Sequence, residues 1–96
     1  MATTTLFVKH AVQDFGRWKS VYDDLGPTRQ AMGVTGASVH QDPANPNVVT
    51  VTHQFSTLVA AQAFAGSDEL KNGMKNAGLA GAPDIWLTDD VEHTAF

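Results

Sequence analysis

His10 and His53 are the residues of this chain best suited to acid–base chemistry, and each stands in the apolar row of a strand-like run. In Leu6-Phe7-Val8-Lys9-His10-Ala11-Val12, the residues Leu6, Val8, His10 and Val12 share one face by the two-residue strand period. In the run from Val48 to Phe55, Val49, Val51, His53 and Phe55 share a face, and Val48, Thr50, Thr52 and Gln54 take the other. An imidazole among valines is either a packing residue with one satisfied hydrogen bond or a titratable group held in a pocket, its pKa tuned by burial. A register that sets Lys9 opposite Thr52 in antiparallel neighbours places Val51 across from His10 and His53 across from Val8. The two imidazoles then lie diagonally, within about 8 Å at their Cβ atoms. Such a pair can serve as general acid and base on a phenol or a β-polyketone.

Other side chains can frame such a pair. Trp18 and Tyr22 lie one helical turn apart, either as core or as a ligand platform with the Tyr22 hydroxyl offered to a substrate oxygen. Phe64 and Met74 read the same way, with core packing the plainer alternative. Arg29 can pin an anionic or carbonyl ligand, or pair with Asp23, Asp24 or a partner subunit. His40 and His93 fall near expected strand ends and receive no role. Trp86 has the opposite parity to Ile85 and Leu87, which suits an anchor on a partner-facing surface. No HxxxH or HxH spacing supports a metal site, so none is expected. There is no cysteine and no GxSxG, and Gly78-Leu79-Ala80-Gly81 lacks the preceding strand of a phosphate-binding loop.

Positioning these groups requires a definite order of elements. A first strand is expected over Thr4 to Gln13, and Asp14 then stands as the N-cap of a helix with Phe15, Trp18, Val21, Tyr22 and Leu25 on its inner face. Gly26-Pro27 kinks or restarts this helix, Thr28 to Met32 add a last turn, and Gly33 is a natural residue just past its end. Val34 to Gln41 form a second strand, and Asp42 to Asn47 read as a hairpin loop longer than the two-residue ideal. The third strand is Val48 to Phe55. Ser56 or Thr57 caps a helix over Leu58 to Ala65, with Leu58, Ala61, Phe64 and Ala65 on one side. Gly66 breaks it, and Ser67-Asp68-Glu69-Leu70 restarts it with acids in the first turn, leaving Leu70, Met74 and Ala77 as its apolar edge. Ile85 to about His93 is the fourth strand. The fold class is therefore α+β, a ferredoxin-like βαββαβ order with a four-stranded antiparallel sheet and helices on one face. The other face carries Phe7, Ala11, Val48, Thr50 and Thr52, too apolar for open water, so two copies are expected to pair through it.

Composition bounds the function. The 96 residues suit a single domain over 1–96 that buries about 60–70% of its unfolded surface, a thin margin with no cysteine to staple it. Only 17% of residues are charged, which fits a small fold with part of its surface covered by a partner. Ten acidic against six scattered basic residues argue against nucleic acid and against an anionic membrane surface. No stretch approaches 18 apolar residues and the N-terminus lacks a basic segment followed by an apolar one, so a cytoplasmic protein is the expectation.

The βαββαβ order, the Trp18 helix, the Asn45-Pro46-Asn47-Val48-Val49 hairpin and the Ser67-Asp68-Glu69-Leu70 to Ala77-Gly78 segment resemble the dimeric α+β barrel superfamily. More narrowly, the chain resembles small bacterial proteins near the antibiotic biosynthesis monooxygenases, some labelled cyclases. The resemblance implies a homodimer and a ligand cleft between the helices and the sheet of each subunit. It also implies chemistry without a bound cofactor on a small, apolar, oxygenated ring or polyketide-like compound. His10 or His53 would then remove a proton, with dioxygen or a carbonyl as the next partner in an oxygenase or a cyclase. Fold alone does not fix this, and a non-catalytic dimeric ligand-binding or stress-related protein is the alternative. A cavity of roughly 300 Å³ or more, reached by either imidazole, separates the two readings.

Overall fold

The computed structural model describes residues 3–96, and its elements run β1 (Thr4–Ala11), α1 (Phe15–Asp24), α2 (Gly26–Ala31), β2 (Val34–Asp42), β3 (Asn45–Phe55), α3 (Leu58–Ala65), α4 (Asp68–Ala77) and β4 (Asp84–Asp89). The strands form one antiparallel sheet in the order β2-β3-β1-β4, so β1 and β3, which carry His10 and His53, are its central pair. This is the ferredoxin-like α+β fold, with both helical segments divided in two.

Local chemistry explains the breaks. Asp14 Oδ2 accepts from Arg17 N at 2.8 Å and caps α1, while Asn47 Oδ1 accepts from Phe15 N at 3.1 Å and ties that helix start to the β2–β3 hairpin. Pro27 sits in the first turn of α2, where its missing N–H costs nothing, so the chain restarts after Leu25 instead of kinking within one helix. Thr57 caps α3 and Ser67 caps α4, the latter hydroxyl accepting from Leu70 N at 3.2 Å. Gly78 ends α4 at φ 81°, in the left-handed region. A Gly78→Ala change should therefore cost about 1–2 kcal/mol. A urea midpoint equal to the parent protein's would contradict that reading of the cap.

Several boundaries differ from those expected. The β2–β3 hairpin is tight: Asp42 pairs with Asn45 across Pro43-Ala44, and β3 starts at Asn45 instead of Val48. Asp42 Oδ2 accepts from Ala44 N at 3.0 Å and Asn45 N at 3.1 Å, closing the turn that its dense turn residues suggested was longer. β1 stops at Ala11, beyond which Val12 makes an isolated bridge to Leu79 and donates its N–H to the Asn47 carbonyl at 2.7 Å. β4 ends at Asp89, well short of His93, opposite the start of β1 at Thr4. Asp90 still donates its N–H to the Thr3 carbonyl at 2.9 Å, and its carboxylate accepts from Thr5 Oγ1 at 2.6 Å and from Thr3 Oγ1. Leu58 is 44% exposed at the first turn of α3, whose inner face is instead Ala61 and Phe64 with Ala60 and Ala65 beside them.

The expected register is off by two. Leu6 faces His53, Lys9 faces Thr50, and His10 faces Val49. A shift of two preserves every residue's face, so the alternation of apolar and polar residues is satisfied by both registers. The two histidines are thus not diagonal neighbours, since four residues of β1 separate His10 from the position opposite His53. At ~3.3 Å per residue that places their backbones roughly 13 Å apart along the sheet.

The helix-covered side carries two apolar clusters. One gathers Leu6, Val8, Phe55, Ala61 and Phe64; the other gathers Val12, Trp18, Val49, Val51 and Ala77. On the opposite side of the sheet, Phe7 and Trp86 stack at 5.2 Å and nearly parallel, with Trp86 43% exposed. Trp86 therefore belongs to the uncovered face and not to the core.

Candidate functional site

The seam between the two clusters holds a cavity of about 60 Å³. Val8, Phe64, Leu70 and Met74 line it from one cluster, and Trp18, Val51 and Ala77 from the other. Its wall also includes His10, Tyr22, Arg29 and His53, so every residue singled out for substrate or acid–base work lies on this one space. Glycine helps form the wall: a Cβ at Gly73 would lie 2.8 Å from Leu25 Cδ1, so the absence of a side chain lets α4 close against the end of α1.

Aromatic rings join the two histidines across the distance that the register opens. His10 meets Trp18 edge-on at 5.6 Å, and Trp18 stacks on Tyr22 at 5.0 Å. Tyr22 lies 6.5 Å from His53, and His53 lies 5.2 Å from Phe64. The i, i+4 spacing of Trp18 and Tyr22 on α1 is what lays one ring beside each imidazole.

Both imidazoles are enclosed, His10 at 5% exposure and His53 at 4%. His10 Nδ1, His10 Nε2 and His53 Nδ1 are buried with no hydrogen-bond partner among the described residues. A buried polar group left without a partner costs about 1–3 kcal/mol, so this arrangement is not the economical one for a packing residue. Burial pushes the His10 pKa below its ordinary value. Burial, joined by the nearby Arg29 charge, lowers that of His53 to about 4. Both rings are therefore neutral at pH 7, each with one N–H donor and one lone pair to offer.

Arg29 departs from the ion-pair expectation. Its Nη1 donates to the Tyr22 carbonyl at 2.6 Å, and its guanidinium lies over the Tyr22 ring, 3.6 Å from the centroid. Asp23 instead pairs with Lys19 at 2.6 Å, the only ion pair among the described residues. Stacking fits the planar guanidinium, and the α2 restart is what brings it over the Tyr22 ring. Both residues of the stack line the cavity, whose volume falls far below the roughly 300 Å³ expected of an enzyme pocket.

Sixty-four chains of solved structure match this one. A proposed antibiotic biosynthesis monooxygenase from Bordetella bronchiseptica superposes with a TM-score of 0.81 at 15% identity, over 96% of this chain and 100% of that one. Another from Caulobacter crescentus CB15 gives 0.76 at 22% identity, over 95% of this chain and 92% of the other. SnoaB, a cofactor-independent oxygenase from Streptomyces nogalater, gives 0.78 at 10% identity, over 98% and 97%. The chain has the fold of the antibiotic biosynthesis monooxygenase-like proteins. The sequence itself matches no protein-family profile and no curated protein.

In this antibiotic biosynthesis monooxygenase-like fold, the cavity lies between the helices and the sheet, bounded by β1, β3, α1, α2, α3 and α4. Sequence reasoning missed Thr28 and Glu69 on its wall. Glu69 reads as a first-turn acid favoured by the helix dipole, but it also falls four residues before Gly73 and beside Leu70, on the flank of the apolar edge of α4. Among the described residues no three His, Asp or Glu side chains gather closely enough to share a metal ion. Among the described residues no helix is long and apolar enough to cross a membrane.

Proposed function

We propose that this protein binds a small oxygenated compound in the seam cavity and performs proton transfer on it, without a bound cofactor, as a monooxygenase- or cyclase-type enzyme. The observation that carries this reading is the pair of buried imidazoles whose nitrogens find no partner among the described residues while facing one apolar cavity. His10 is the proton acceptor. Burial alone lowers its pKa, whereas His53 is also depressed by the Arg29 charge, so of the two rings His10 is the one less opposed to holding a proton. With a pKa of about 4, His53 acts as a hydrogen-bond partner that orients a substrate oxygen. Trp18 and Tyr22 supply apolar walls, with Phe64 and Met74 opposite. A ring-sized substrate would need more space than this cavity offers, and the Tyr22–Arg29 stack on its wall is the contact whose opening would enlarge it.

The test is NMR titration of both imidazoles with and without a panel of phenols, beside turnover of the same compounds. The expected result is a ligand-dependent shift at His10 and His53 and loss of turnover in His10→Asn. Ligand-insensitive titration of both rings would sink the enzyme reading. A non-catalytic binding protein is the second reading, favoured by the small cavity volume. Ligand-induced imidazole shifts with no turnover in any arm would select it.

The same proposal pairs two copies through the uncovered sheet face in a cytoplasmic homodimer. The stacked Phe7–Trp86 pair supplies its apolar anchor. Replacing Trp86 with Glu should shift sedimentation from dimer to monomer at micromolar concentration. A parent chain that sediments as a stable monomer would overturn the pairing.

A further inference from the structure

We propose that the seam cavity selects a short-chain monocarboxylate, whose carboxylate lies against Arg29 and His53 and whose aliphatic tail lies among Val8, Val51, Phe64 and Met74. This deepens the functional reading above by naming the charge and size of the ligand, and it rests on the same cavity.

The argument starts from Arg29. Its single hydrogen bond among the described residues goes to a backbone carbonyl, and no carboxylate lies within ion-pairing distance. A guanidinium carries five N–H donors in a planar fork shaped for a carboxylate, and charge-assisted bonds of this kind are about twice as strong as neutral ones. The half-buried Arg29 lines the cavity rim and lies close enough to His53 to depress its protonation. His53 lines the same cavity, and its Nδ1 is buried without a hydrogen-bond partner among the described residues. An incoming anion would answer both, accepting from Arg29 and from an imidazole N–H. The other titratable groups facing His53 across the cavity are His10 on β1, Tyr22 on α1 and Glu69 on α4. Glu69 is exposed, so its opposing charge is largely screened at the rim.

Volume sets the rest of the ligand. A space of about 60 Å³ admits a few heavy atoms, not a fused ring, unless the wall moves. The remaining wall is aliphatic and aromatic, so it favours a short hydrocarbon tail over a second polar group.

The experiment compares butyrate with butyramide, which match in shape and differ in charge, by chemical-shift changes at the His10, His53 and Trp18 rings. Butyrate should bind at least tenfold more tightly. It should also raise the titration midpoint of His53, because a nearby anion favours the imidazolium. Arg29→Met keeps an apolar stem over Tyr22 and should bring the two ligands within twofold, with its thermal midpoint confirming the fold. Glu69→Gln should leave butyrate affinity within twofold, because its charge is screened at the rim. Equal affinity for both ligands, an unchanged preference in Arg29→Met, or shifts confined to residues outside the cavity would each overturn the proposal. The preference is read from binding alone, so a His10→Asn variant that retains turnover would refute the catalytic reading without touching it.

Discussion

Lowering the pH from 7 to 4 is expected to cost the folded protein roughly 3 kcal/mol through His53 alone. In the unfolded chain this ring takes up its proton around its ordinary value of 6.5, whereas in the folded chain it does so only near 4. Between those limits the unfolded state holds more protons than the folded one, so stability rises with pH through the window and is lost as pH falls. Each unit of difference is worth about 1.36 kcal/mol. His10, also depressed by burial, adds loss in the same direction. Against a total of about 5–15 kcal/mol for a typical domain, the effect is large. Urea midpoints at pH 7, 5.5 and 4.5 measure it above the range where carboxylates dominate. A His53→Leu variant should show a flatter pH dependence, and the same slope in both proteins would refute the assignment.

Removing the Trp18 side chain is expected to be the most damaging single truncation at the site. The indole is 3% exposed and touches Phe15, His10 and Tyr22 in one layer. Trp18→Ala should cost about 3–5 kcal/mol, the lost burial plus the cavity left behind. That cavity would merge with the seam and remain largely apolar, so added indole should occupy it and recover stability. At one hundred times its Kd the recovery is about 2.7 kcal/mol. Thermal melts of the variant with and without indole provide the check. A loss under about 1 kcal/mol, or no response to indole, would show that Trp18 is not the support of the His10 wall.

The faces of the strands were legible in the sequence because alternation has only one period to satisfy. His10 and His53 belong to the covered side in any register that respects it. The broken helices were legible for a similar reason, since Pro27, Gly66 and Gly78 leave few alternatives. Register was not legible, because a slip of two residues leaves every face unchanged. No turn joins β1 to β3, so their register rests on contacts distant in sequence: at the end of β1, Val12 N donates to the Asn47 carbonyl at 2.7 Å and Phe15 N to Asn47 Oδ1 at 3.1 Å. The Arg29 stack was hidden because its partner is chosen by the α2 restart angle, which the residue pattern does not encode. Glu69 was hidden because an acid in the first turn of a helix already has a sufficient local reason to be there.

The placement of the two tryptophans has an optical consequence. Trp18 is sealed between the helices and the sheet, and Trp86 stands on the uncovered face with its ring partly in solvent. Indole emission shifts to longer wavelength as water relaxes around the excited state, so the two should emit at separable energies. Trp18 would report occupancy of the cavity, and protonation of His10 beside it would quench it. Trp86 would report coverage of the other side, shifting to shorter wavelength as water leaves. With Trp86→Phe and Trp18→Phe as single-reporter variants, events in the cavity and any covering of the other face can be followed separately, from opposite sides of the same four strands.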